Sequence, residues 1–183
     1  MKLIILSRDG VINFGSDNLI KSADEWEPIP GSLQAMGRLS QAGYTLVIAT
    51  NQSGLARGLY DIQTLYDIHA KLGRMLEQYG GHVSSVFFCP HGPDDDCDCR
   101  KPKDGLFRDI MARYQRTLDG VPAIGDAMRD VEAARSAGAR PILVRTGKGE
   151  KTLQKAKPKQ LKGVPVYNDL ADAADAILAE MSE

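Results

Sequence analysis

Six short apolar runs punctuate the chain: residues 2–6 (KLIIL), 45–50 (TLVIAT), 84–89 (SSVFFC), 121–125 (VPAIG), 140–145 (RPILVR) and 164–167 (VPVY). Their hydrophobicity is continuous rather than alternating, which predicts strands of a parallel sheet covered on both faces. Between them, apolar positions recur at helical spacing. Leu33, Met36 and Leu39 share one face of a helix that ends near Gly43. Asp61 is placed to cap a second helix, in which Leu65, Ile68, Leu72 and Met75 recur three and four residues apart. Further helices fit 105–116, 128–137 and 169–181, while the lysine-rich stretch 148–162 is ambiguous. The alternation predicts the α/β class: a doubly wound, mainly parallel, Rossmann-like sheet in one domain over residues 1–183.

Composition narrows the partners more than the fold. With 183 residues, 43% of them hydrophobic, the chain can bury a real core. Its formal net charge of −1, with both signs mixed along the chain, leaves no footprint for nucleic acid or an anionic membrane. A small-molecule partner and a monomer are expected. The apolar run before Arg8 is too short for a signal peptide and no later stretch approaches a bilayer span, so the expected location is the cytoplasm.

In doubly wound sheets, ligands sit beyond the carboxyl ends of the strands. Three predicted strand ends carry suggestive chemistry: Ser7-Arg8-Asp9-Gly10, Thr50-Asn51-Gln52-Ser53-Gly54 and Gly125-Asp126. Lys101, in Arg100-Lys101-Pro102, supplies a cation. Each piece alone reads as turn or cap chemistry, or as a solvated charge. Their joint occurrence at strand ends is far more specific.

All three cysteines fall in one segment, "CPHGPDDDCDCRKP", beside a histidine. Cys89 and His91 are two apart, as are Cys97 and Cys99, so in extended backbone each pair projects from one side and can pinch an ion. Three thiolates and one imidazole complete a tetrahedral Zn²⁺ shell with no open position, which predicts a structural metal in the loop 89–99. Its task would be to hold the loop that delivers Arg100 and Lys101.

Taken in order, these motifs resemble the haloacid dehalogenase superfamily of phosphatases over almost the whole chain. The resemblance implies a Mg²⁺-dependent phosphomonoesterase. Position 7 would be the nucleophilic carboxylate, Asp9 the general acid/base, and Thr50 and Lys101 the groups that neutralise the phosphoryl oxygens. Asp9 and Asp126 would hold Mg²⁺, with Asp130 in support, while Arg8, Asn51, Gln52, Ser53 and Arg100 would lie on the substrate side. Within the superfamily, the opening stretch, Thr-Asn-Gln-Ser-Gly and the cysteine segment resemble the branch that removes the 7-phosphate of a heptose 1,7-bisphosphate on the way to lipopolysaccharide core precursors. The histidinol-phosphate branch shares the metal segment and is the alternative. Only about fifty residues separate Thr50 from Lys101, and a helix and a strand fill most of them, so no separate cap domain is expected. Specificity would then come from loops 14–28, 52–59 and the metal loop.

Ser7 breaks the pattern. A serine hydroxyl is not ionised, its phosphate ester is stable, and it removes a negative metal ligand, so the expected chemistry is largely lost. Because everything else is intact, the sequence reads as a phosphatase inactivated by one deliberate substitution. A natural ligand-binding pseudoenzyme is the rival reading. A phosphoacceptor signalling domain would need its aspartate at the end of the third strand, where Cys89 stands instead.

Overall fold

A computed structural model describes residues 1–182. The apolar runs form strands β1 (Lys2–Leu6), β2 (Tyr44–Asn51), β3 (Val83–Cys89), β4 (Pro122–Gly125), β5 (Arg140–Val144) and β6 (Val166–Tyr167). All pair in parallel, in the order β3-β2-β1-β4-β5-β6. The continuous hydrophobicity is explained by burial on both faces. On β1, Ile4 and Leu6 enter one core while Leu3 and Ile5 enter the other; on β2, Leu46 and Ile48 oppose Val47 and Ala49 in the same way.

Helices α1 (Ser32–Gln41), α2 (Ile62–Glu77) and α6 (Leu170–Glu180) contribute to the first core, and α3 (Gly105–Tyr114) and α4 (Met128–Ser136) to the second. Asp61 caps α2 as expected, its carboxylate accepting from the Thr64 amide at 2.8 Å. The ambiguous lysine-rich stretch resolves into a short helix, α5 (Gly149–Lys155), followed by a 3₁₀ turn at Pro158–Leu161. No cap domain is inserted among the described residues. In its place, loop 14–28 folds back over the sheet. Its Trp26 is fully buried, and Lys71 of α2 donates to the carbonyls of Ala23 and Trp26 at 2.7 and 2.8 Å.

Chain order reverses between β1 and β4, which lie side by side. A crevice therefore opens at their carboxyl ends, where the sequence places Ser7, Asp9 and Asp126.

Candidate active site

The site is built around Lys101, which is 3% exposed although it follows a loop. Its Nζ donates to Asp130 Oδ1 and to the Ala49 carbonyl, each at 2.7 Å, and lies 3.4 Å from Ser7 Oγ. Its backbone is clamped by Asn51: the Lys101 amide donates to Asn51 Oδ1 at 3.0 Å, and Asn51 Nδ2 donates back to the Lys101 carbonyl at 3.2 Å. Asn51 thus acts on the loop as well as lining the cavity.

Asp130 also accepts from the amides of Asp126 and Ala127 at 3.1 and 3.0 Å, which fixes the turn after β4. Burial disfavours its charge, but Lys101 outweighs that and holds its carboxyl below the usual range. Asp126 fares differently. Burial, reinforced by the neighbouring Asp130 charge, pushes it up to about 6. Its Oδ2 accepts only an amide hydrogen bond, from Lys148 at 2.8 Å, and no ion pair involves it among the described residues. Gly10 and Gly147, both with positive φ, let the backbone close on this carboxylate; a Cβ on them would sit 2.0 and 2.4 Å from its Oδ2. Asp126, a buried carboxylate without an ion-pair partner among the described residues, lines the same cavity as Asp9, and such hard oxygen donors fit Mg²⁺.

Arg8 does not line the cavity. It is fully buried, and its Nε donates to Asp9 Oδ1 at 2.8 Å, where Asn13 Nδ2 also donates at 2.9 Å. Burial opposes ionisation of Asp9, but the Arg8 charge and hydrogen bonds from Arg8, Asn13 and Gln52 prevail and hold its carboxyl below the usual range. Two donors converge on Oδ1, which leaves Oδ2 as the oxygen suited to carry a proton. Behind Arg8 stands His69 of α2, its Nε2 3.2 Å from Arg8 Nη1. His69 is half-buried, whereas His82 is exposed. Burial, then the Arg8 charge, depress His69 to about 4, so its ring is neutral at pH 7 and its Nε2 accepts from Arg8.

The metal segment is assembled. Cys89 Sγ lies 3.5 Å from His91 Nδ1, 3.8 Å from Cys97 Sγ and 3.0 Å from Cys99 Sγ, and His91 Nδ1 lies 3.3 Å from Cys99 Sγ. All four ligand atoms fall within 4.8 Å of one another. Sulfurs around a tetrahedral ion with bonds of about 2.3 Å stand roughly 3.8 Å apart, so the cluster fits a four-coordinate metal after small adjustment. Burial, then Cys99, push the Cys89 thiol up to about 12, so holding these sulfurs together as thiolates requires a cation. Arg100 Nη1 donates to the His91 carbonyl at 3.3 Å, tying the next two residues to the cluster.

The resulting cavity, about 320 Å³, is lined by Asp9, Asn51, Ser53, Arg100 and Asp126, by Gly15, Ser16, Asp17 and Leu19 of loop 14–28, and by Arg129, Lys148 and Lys151. The last three are missed by sequence reasoning. For Lys148 and Lys151 the only signal is the excess of lysine after residue 147, which reads equally well as a solvated face; Arg129 carries no signal of its own.

A parallel sheet whose switch point gathers position 7, Asp9, Thr50, Lys101 and Asp126 defines a phosphohydrolase scaffold of the haloacid dehalogenase type. Residues 98–173 match the family described as HAD-hydrolase-like. The chain is 57% identical over 180 residues to the D-glycero-beta-D-manno-heptose-1,7-bisphosphate 7-phosphatase of Bordetella bronchiseptica, covering 98% of this chain and 99% of that enzyme. It is 51% identical to the enzyme of that name from Pseudomonas putida, covering 97% and 100%. The crystal structure of D,D-heptose 1,7-bisphosphate phosphatase from B. bronchiseptica, complexed with magnesium and phosphate, superimposes with a TM-score of 0.94, at 57% identity and over 98% of this chain and 99% of that one. The chain belongs to this family of heptose bisphosphate phosphatases.

Proposed function

We propose that this chain is built to remove the 7-phosphate from D-glycero-D-manno-heptose 1,7-bisphosphate with Mg²⁺, and that with Ser7 it binds this ligand without appreciable turnover. The observation that carries the reading is the buried Lys101, aimed at the position-7 side chain and anchored by Asp130. Phosphoryl transfer needs positioned positive charge more than it needs covalent machinery. Lys101 and the Thr50 hydroxyl would hold the transferring oxygens. Ser7, Asp9 and Asp126 would hold Mg²⁺, which when bound neutralises phosphate charge. Asp9 Oδ2 would protonate the leaving sugar oxygen and then activate water.

A second phosphate on the ligand suits the cavity. Arg100 from the metal loop lines it together with Arg129, Lys148 and Lys151. None of the last three is ion-paired among the described residues. The Cys89, His91, Cys97 and Cys99 cluster is proposed as a structural Zn²⁺ site, because thiolate and imidazole ligands in a closed tetrahedron favour that ion. Three unbridged cysteines at such a site suit a reducing compartment such as the cytoplasm. No helix among the described residues is long and apolar enough to cross a membrane.

The test is to restore aspartate at position 7 and assay a panel of phosphate esters with and without Mg²⁺. Preferential release of the 7-phosphate supports the reading. A Ser7→Asp protein that binds the bisphosphate yet hydrolyses no ester favours the pseudoenzyme.

A further inference from the structure

Behind Thr50 and Asp9 lies a buried polar cluster whose hydrogen bonds can run in only one direction. Gln52 is 4% exposed and Thr50 3%, so neither meets bulk water. Gln52 Oε1 lies 2.6 Å from the Tyr60 hydroxyl and 3.4 Å from Arg8 Nη2; its Nε2 lies 2.9 Å from Thr50 Oγ1. An amide can be turned by half a revolution without changing its shape, so its orientation must be argued from its neighbours. Arg8 settles it, since a guanidinium has donors and no acceptor. The carbonyl end therefore faces Arg8, and the NH₂ end faces Thr50.

We propose that Gln52 is a positioning residue that sets the hydrogen-bond polarity of the phosphate site. Its amide donates to Thr50 Oγ1, and the Thr50 hydroxyl proton is thereby left to donate to a phosphoryl oxygen. Without this constraint the hydroxyl rotor would be free to satisfy itself on a nearby carbonyl or carboxylate, and an anion would meet its lone pairs instead of its proton. Arg8 thus acts twice, gripping Asp9 through Nε and fixing Gln52 through Nη2. The neutral His69 ring accepts from the remaining Nη1 and keeps the guanidinium in place.

This inference rests on the reading that phosphate is held at Thr50 and Lys101, so the test has one arm that needs no anion. In the full-length chain labelled with ¹⁵N, one Gln52 side-chain amide proton should move upfield on Thr50→Val and stay in place on Thr50→Ser. An amide unmoved by Thr50→Val would overturn the assigned polarity. The second arm is calorimetric binding of inorganic phosphate with Mg²⁺ to the parent, Gln52→Leu, Thr50→Val and the double variant. Gln52→Leu should weaken binding about fivefold, the scale of one net hydrogen bond, and should have almost no effect when Thr50 is already valine. Additive losses would show that Gln52 acts independently and would overturn the proposal. If Gln52→Leu fails to fold, Gln52→Glu replaces it: glutamate still accepts from Arg8 and Tyr60 but takes the Thr50 proton, so binding should weaken and Thr50→Val should then cost little more. A parent that binds no phosphate would refute the phosphate site itself, and the amide shift would still decide the polarity.

Discussion

Lys101 Nζ sits 3.4 Å from Ser7 Oγ, a buried cation facing a neutral hydroxyl at the proposed nucleophile position. Its charge is balanced instead by Asp130, 2.7 Å away on its other side. The lysine therefore holds its position without the nucleophile, and replacing the hydroxyl leaves the frame intact.

Ser7→Asp should accordingly raise the rate of heptose bisphosphate hydrolysis by about 10⁴-fold or more, the scale of losing a nucleophile from a concerted catalytic unit. Affinity should change much less. Lys101, Thr50 and Arg100 remain in the serine form, and removing a carboxylate also removes its repulsion toward the dianion. Single-turnover hydrolysis and calorimetry on both forms make the comparison. Equal rates would exclude position 7 as the nucleophile, and absence of binding to the serine form would exclude its behaviour as a substrate trap.

Asp126→Asn should leave the fold intact, because the Lys148 amide can donate to the retained side-chain oxygen. In the Ser7→Asp background it should lower Mg²⁺-dependent turnover by about a hundredfold or more, since even groups behind a metal ligand matter at about 10–100-fold. Near-normal turnover at the same Mg²⁺ concentration would take this residue out of the metal site.

Cys97→Ser should lose one equivalent of zinc together with local stability, because ligands gathered only in the folded loop make metal affinity part of folding free energy. Metal content and the thermal midpoint, measured on protein prepared without chelators, should fall together. A parent with far less than stoichiometric zinc and an ordered loop would count against the assignment.

His69 should make stability depend on pH. Its ordinary value is 6.5 and the fold depresses it to about 4, so between these values the unfolded chain binds more protons. The contribution is present above pH 6.5 and is lost as pH falls toward 4. Asp126 runs the other way in part of this window, because its raised value favours the folded state on protonation. Other charged or titratable groups near His69 are Arg8 and Asp9 on one side, with Glu77 and His82 lining the same small cavity. The useful quantity is therefore the difference between parent and His69→Gln in denaturation midpoint from pH 7 to 4. Parallel curves would show that the ring does not titrate in this range.

Most of the fold was legible because parallel strands buried on both faces announce themselves: KLIIL becomes β1, and all four of its buried residues divide between two cores. The cysteine cluster was legible for the same local reason, since two pairs at two-residue spacing already imply a pinch. What escaped was three-dimensional. His69 lies on a helix whose pattern reads as ordinary, and nothing local says that a buried arginine ends beside its ring. Arg129, Lys148 and Lys151 are brought to the cavity only by the turns after β4 and β5. Arg8 reads as one more substrate contact, yet it is fully buried and grips Asp9 from within.

One peptide unit on either side of Arg100 separates Cys99, the last sulfur of the proposed metal cluster, from Lys101, the proposed phosphate-binding lysine. Two residues span at most about 7 Å, so Cys99 and Lys101 have almost no slack between them. The exposed stretch Pro93–Asp96 does have slack. Length changes should therefore be absorbed within 93–96, while a single residue inserted after Cys99 would swing the ammonium out of its seat with the metal still bound. The tether works as a short lever, and the metal cluster is its fulcrum.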